Sequence, residues 1–146
     1  LPQKHGRLLT SGGLGTMGYA LPAGIGAKIA APDRQNVVIC GDGSFQMAMN
    51  ELAAIRAADL DIKIVLFQNN TLGLVHQIQK AAPYHGPFGV DLDGSPDFET
   101  LAKAYQIPSL TVDDEDKVDE VLDRFLGTKG CRLLIVKVHP DVGTND

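Results

Sequence analysis

Two short stretches hold the residues best suited to chemistry. Gly41-Asp42-Gly43-Ser44 follows the apolar run at residues 37–40, and Asn69-Asn70 follows a second apolar run at 62–67. A carboxylate at the end of a buried strand is costly to fold around unless something compensates its charge. Asp42 offers an anionic oxygen and Asn70 a neutral amide oxygen, hard ligands that suit Mg²⁺ or Ca²⁺ and not a soft metal. Gly41 and Gly43 admit close backbone approach, and the amides of Gly43 and Ser44 at the start of the next helix can point at phosphate oxygens. Mg²⁺ takes few protein ligands and completes its octahedron with phosphate and water, so these residues fit a metal-bridged diphosphate. Taken singly, each motif reads equally well as structure, Asp42 as a helix cap and the Asn pair as a turn. Residues 44–68 between them suffice for a helical crossover and a return strand, which sets the two ends side by side and favours a binding site.

The elements that position these residues follow from the pattern. Residues 12–31 read as a glycine loop entering a helix near Thr16, with small residues for close packing and Pro22 in the first turns. Residues 37–40 read as a strand, 45–58 as a helix, 62–67 as a second strand and 73–80 as a short helix. Three prolines and three glycines make residues 81–96 a long surface or active-site loop, the best candidate for a mobile segment. A helix at 97–105 with Asp97 near its start, a strand at 109–112, a helix at 114–126 capped by Asp113 or Asp114, and a strand at 132–138 complete the chain. Strands alternating with helices predict a single α/β domain over residues 1–146. Its sheet is doubly wound and mostly parallel, with helices on both faces and ligands at the carboxyl ends of the strands.

Bulk properties narrow the classes. The 146 residues carry a formal charge of −5 and a sequence pI near 5.2, so no basic field holds a polyanion and nucleic acid is not expected as a partner. No apolar run approaches the length of a membrane span. Cys40 and Cys131 lack metal or redox spacing and read as reduced, packed thiols of a cytoplasmic protein. The chain starts at Leu1 and not Met, which reads as a fragment of a larger multidomain enzyme. Residues 13–18 spell GxGxxG, with Asp42 downstream where a ribose-binding acid would stand. The residues before them, GRLLTSG, are too short and polar for the buried strand that a dinucleotide site requires, so an NAD-binding module is the weaker reading.

The combination of GDG with NN at this spacing, together with SGGLGTMGYALPAGIGA at 11–27 and QNNTLGLVHQIQ at 68–79, resembles the carboxyl-terminal, diphosphate-binding domain of thiamine-diphosphate-dependent enzymes of the acetolactate synthase type. The resemblance implies that Asp42, the Asn70 side chain and the Leu72 carbonyl hold Mg²⁺, with Asn69 structural. It also implies that Gly15, Thr16, Met17, Gly41, Gly43, Ser44, Gly73 and Leu74 contribute to the cofactor site. Met17 would be the apolar wedge that bends thiamine diphosphate, and the Gly15 carbonyl would accept from its 4′-amino group. Taken without the resemblance, Met17 reads better as a helix core residue. The implied reaction decarboxylates pyruvate, or a related 2-oxo acid, and condenses it with a second 2-oxo acid, as in branched-chain amino acid biosynthesis.

One part is absent. The resemblance calls for an activating glutamate from a pyrimidine-binding domain of the same or another subunit. Glu51, Glu99, Glu115 and Glu120 lie in helices that do not suit that role. The isolated chain is therefore expected to be an inactive half-site that tends to self-associate, and the whole enzyme a homo-oligomer. Any FAD of the full-length enzyme would belong outside this domain. The short helix of the biosynthetic enzymes typically reads GMVxQWQ, whereas here Ile78 stands in place of the Trp; Leu74, Val75 and Ile78 are candidate substrate-wall residues. His76 and His85 are weighed as proton carriers, while His5 and His139 have no supporting context. The alternative within the same chemistry is the small subunit of a split 2-oxo-acid decarboxylase, and a non-catalytic diphosphate-binding domain is a further one.

Overall fold

The computed structural model describes residues 7–81, 86–140 and 142. Its centre is a four-stranded, wholly parallel sheet: β1 (Val37–Gly41), β2 (Lys63–Gln68), β3 (Ser109–Val112) and β4 (Arg132–Lys137), in the order β1-β2-β4-β3. Each strand is a short β-branched or aliphatic run bounded by turn residues, and its side chains alternate between two cores. Val38, Cys40, Ile64, Leu66, Leu133 and Ile135 enter one core, where they meet helices α1 (Ala20–Ala30), α2 (Asp42–Gln46), α3 (Leu52–Ala57) and α5 (Phe98–Ala104) through Leu21, Phe45, Leu52, Ile55, Phe98 and Ala102. Val65, Val112 and Leu134 enter the second core around Phe125 of α6 (Val118–Gly127).

The two faces are unequally covered. The expected α/β architecture holds, but among the described residues only α6 packs on the second face, and the residues of β1 that point there, Val37 and Ile39, stay 44% and 63% exposed. The connections explain this. β1 to β2 and β2 to β3 both progress in one direction along the sheet and send their helices to one face; only the return from β3 to β4 sends a helix to the other.

Three local expectations need correction. α1 begins at Ala20 and not near Thr16, because Gly15 and Gly18 adopt φ +61° and +81° and the chain turns twice before helical geometry can start. The helix expected at 45–58 begins earlier, at Asp42, and is broken at Met47 and Ala48; a 3₁₀ turn, Met49–Glu51, precedes α3. The loop expected over 81–96 is not wholly on the surface. Val90 is buried, and Thr71 and Asp91 form an antiparallel bridge, while residues 82–85, His85 among them, lie outside the described residues. α4 (Gly73–Ala81), the Asp97 cap on Thr100 N and the Asp114 cap on Asp116 N stand as expected, the last on a 3₁₀ turn, Glu115–Lys117, that leads into α6.

The GxGxxG at 13–18 follows no strand, so the strand-turn-helix geometry of a dinucleotide site is missing among the described residues. No helix there is long and apolar enough to cross a membrane. Both thiols are free, Cys40 buried and Cys131 half-buried.

The small residues of α1 serve a close approach to β1. A Cβ on Gly24 would lie 2.3 Å from Val38 Cγ2, and the Gly24 carbonyl accepts from Asn36 Nδ2 at 3.0 Å. Alanine in a helix interior gains up to about 1 kcal/mol over glycine, whereas overpacking a core costs about 1–3 kcal/mol. Gly24→Ala is therefore expected to lower the urea midpoint of unfolding; an unchanged or raised midpoint would show that α1 is free to move away from β1.

Candidate functional site

Parallel pairing puts Gly41 of β1 opposite Phe67 of β2, so the residues that follow each strand emerge together at the carboxyl edge of the sheet. Asp42 is the first residue of α2, with Gly41 in extended geometry as its N-cap, and it is only 1% exposed. Its Oδ2 accepts from Asn70 N at 2.6 Å and from Asn69 N at 3.1 Å, and its Oδ1 accepts from Gly43 N at 2.8 Å. Three backbone N–H groups thus compensate one buried carboxylate. Burial first, and then the negative charge of Asp42, push the Cys40 thiol up to about 12.

The turn after β2 is built around these bonds. Asn70 takes the left-handed conformation at φ +55°, one that asparagine tolerates better than most residues. Its Oδ1 accepts from Gln68 Nε2 at 3.0 Å. Asn69 Oδ1 accepts from Thr71 N at 3.1 Å, a local Asx turn consistent with a structural part for Asn69. The Leu72 carbonyl accepts from His76 N at 2.9 Å and so starts α4. A Cβ on Gly73 would lie 3.1 Å from Asn69 Nδ2.

The glycine loop closes onto the same place. Gly15 N donates to Ser11 O, Thr16 N to Ser11 Oγ, and Gly18 N to Ser44 Oγ at 2.9 Å. Gly43 lies where the segments meet. A Cβ there would come within 2.7 Å of Leu72 Cδ2, 3.2 Å of Met17 Cε and 3.3 Å of Leu92 Cδ1. Glycine gives the room in which three side chains from three segments converge.

The structure therefore brings together Met17, Asp42, Gly43, Ser44, Asn70 and Leu72. Three expectations fare differently. The Gly43 N–H, expected to face a phosphate, is turned to Asp42 Oδ1. Gly15 and Gly41 meet nothing closer than 4.0 Å where a Cβ would stand, so packing does not explain glycine at either position. Leu74, Val75 and Ile78 stand exposed on α4, and His76 is half-buried on the same helix. Glu51 accepts from the neighbouring Asn50 and Glu99 from Thr111, neither of them bonds to the Asp42 cluster.

Sequence reasoning missed Leu92 and the strap that carries it. Leu72 N donates to Val90 O at 2.8 Å, Leu92 N to Asn70 O at 2.9 Å, and Gln46 Nε2 to Ser95 Oγ at 3.0 Å. The Pro- and Gly-rich composition flagged the loop as a whole, but no periodicity singles out the one leucine that turns in.

The donor chemistry fits a hard cation. A carboxylate offers about four lone-pair sites and a carbonyl oxygen two. The bonds described use three on Asp42, one on Asn70 Oδ1 and one on the Leu72 carbonyl, which leaves acceptor capacity on each of the three. No group of three or more His, Cys, Asp or Glu side chains forms a metal cluster among the described residues. Asp42→Asn would set an amide N–H₂ or a weaker, neutral oxygen against the Asn69 and Asn70 amides. It is expected to cost about 1–3 kcal/mol of stability in chemical denaturation; an unaltered stability would show that the carboxylate does not tie the two strand ends.

Comparison with known proteins gives the family. The family described as thiamine pyrophosphate enzyme, C-terminal TPP binding domain, matches residues 2–136. The acetolactate synthase isozyme 2 large subunit of Escherichia coli K12 is 41% identical over 130 residues, covering 89% of this chain and 24% of that protein. The acetolactate synthase large subunit of Lactococcus lactis is 43% identical over 113 residues, covering 77% and 20%. The mitochondrial acetolactate synthase catalytic subunit of Saccharomyces cerevisiae is 40% identical over 134 residues, covering 92% and 19%. The chain thus spans about a quarter or less of the length of these relatives. With the match running through both strand ends that meet at Asp42, this chain belongs to the thiamine pyrophosphate enzymes, as a C-terminal TPP binding domain.

Proposed function

We propose that this chain holds Mg²⁺ and the diphosphate of thiamine diphosphate in an acetolactate synthase-like enzyme, which decarboxylates pyruvate and joins the product to a second 2-oxo acid. The observation that carries the reading is the junction at Asp42, where one buried carboxylate ties the end of β2 to the start of α2 and keeps oxygen capacity in reserve. Asp42, the Asn70 side chain and the Leu72 carbonyl would hold the metal. Ser44 N–H, in the first turn of α2, is the donor left for a phosphate oxygen once Gly43 N–H is committed to Asp42.

When bound, thiamine diphosphate supplies a carbon nucleophile for the ketone of a 2-oxo acid and an electron sink for the loss of CO₂. The residues of this chain bind and orient. Met17, pressed towards Gly43 and 37% exposed, offers an apolar support to the bent cofactor, and the Gly15–Thr16 turn offers backbone groups to its pyrimidine end. Leu74, Val75 and Ile78 present an apolar wall to the substrate. The activating glutamate comes from a pyrimidine-binding domain of the same or another subunit, and the working unit is a homo-oligomer. The relatives' names, acetolactate synthase in each case, support the acetolactate synthase-like reading. A flavin, where the full-length enzyme carries one, lies outside this domain.

Isothermal calorimetry is the direct test. Thiamine diphosphate is expected to bind when Mg²⁺ is present and not in EDTA, and Asp42→Ala, checked for folding by circular dichroism, is expected to abolish the metal-dependent signal. Metal-independent binding of NAD, without thiamine diphosphate binding, would overturn the proposal. The isolated chain, saturated with cofactor and Mg²⁺, is expected to form no acetolactate from pyruvate. Turnover under those conditions would place the activating acid within these 146 residues.

A further inference from the structure

The side-chain amide of Gln79 holds the backbone of Phe88 at both ends: Phe88 N donates to Gln79 Oε1 at 2.7 Å, and Gln79 Nε2 donates to Phe88 O at 3.3 Å. The amide replaces one rung of a β-ladder and ties the strap to α4. Two residues on, Val90 O accepts from Leu72 N and from Thr71 Oγ1, and two further on Leu92 N donates to Asn70 O. The strap is therefore fixed at alternate residues, from α4 to the turn that carries Asn70.

This fixed backbone carries an unshielded ring. Phe88 is 88% exposed, and on α4 the i, i+4 pair Leu74 and Ile78 is 65% and 67% exposed. A scattered surface apolar residue needs no explanation, but here the clamp anchors the backbone of Phe88 to the helix that carries Leu74 and Ile78. Gln79 thus couples the position of an aromatic residue to the helix read as the substrate wall, and the far end of the same strap delivers Leu92 to Gly43.

We propose that Phe88 is a specificity-determining residue for the acceptor 2-oxo acid, part of one apolar wall with Leu74 and Ile78, and that Gln79 is the positioning residue that sets it. The inference rests on the acetolactate synthase-like reading. It predicates no new chemistry: Phe88 contributes surface against the acceptor's alkyl group, and Gln79 contributes location.

The test uses the full-length enzyme with thiamine diphosphate and Mg²⁺, and measures products when pyruvate competes with a longer 2-oxo acid as acceptor. One methylene in an apolar pocket is worth roughly 10-fold or more in discrimination, so Phe88→Ala is expected to change the product ratio by at least about threefold, with the Kd for thiamine diphosphate unchanged. Gln79→Ala is expected to shift the ratio in the same direction by less, and Gln79→Glu, which can still accept from Phe88 N, by less again. The double variant is expected to match Phe88→Ala alone, because the clamp acts only through the ring. An unchanged ratio in Phe88→Ala, or additive effects in the double variant, would overturn the inference. Wild-type enzyme that makes no acetolactate would instead overturn the functional reading beneath it.

Discussion

Everything at this site depends on one buried charge and the three amides turned towards it. Asp42 has almost no solvent to stabilise its carboxylate, so the protein must supply the stabilisation, and it does so with the backbone of Gly43, Asn69 and Asn70. Charge-assisted bonds of this kind are about twice as strong as neutral ones. They also fix geometry: Asn69 and Asn70 are held by their N–H groups, which leaves the Asn70 side chain and the Leu72 carbonyl to project from a turn with little freedom. The structural and the ligand-binding reading of Asp42 are therefore compatible. A carboxylate already held in place by amides is a preorganised ligand.

Around that charge the fold arranges close approach. Parallel strands bring Gly41 and Phe67 level, Gly43 admits Met17, Leu72 and Leu92, and Gly18 reaches Ser44 across the front of α2. All three cradle side chains belong to segments distant in sequence from GDG. Two cavities among the described residues, of about 510 and 840 Å³, lie elsewhere: one beside α5 and β3, the other between residues 7–10, α1 and β1. The Asp42 cluster lines neither of them. Leu74, Ile78 and Phe88 stay exposed.

Much of this was legible in the sequence because strands and turn chemistry act locally. Runs such as IKIVLF are bounded by turn residues, and all four strands fall within about a residue of expectation. Asp97 and Asp114 follow from cap chemistry. The break at Met47 and Ala48 was not legible, since both residues are ordinary helix formers and the interruption serves packing of Phe45 and Leu52 on the sheet. The delayed start of α1 was hidden for the opposite reason: glycine permits helix and positive φ alike, and the Gly18–Ser44 bond decides between them. The bare second face of β1 depends on strand order, and the place of Leu92 on a strap of long-range bonds. Neither leaves a periodic trace.

The central claim is that the junction at Asp42 is where a metal-bound diphosphate is held. The most direct measurement is an amide-resolved NMR titration of the ¹⁵N-labelled chain with thiamine diphosphate, with Mg²⁺ and with EDTA in its place. The expected result is Mg²⁺-dependent shifts concentrated on Gly43, Ser44, Asn69, Asn70 and Leu72, with no comparable change in EDTA. Shifts centred instead on the groove between residues 7–10 and β1, or on Glu99 and Ser109, would contradict it.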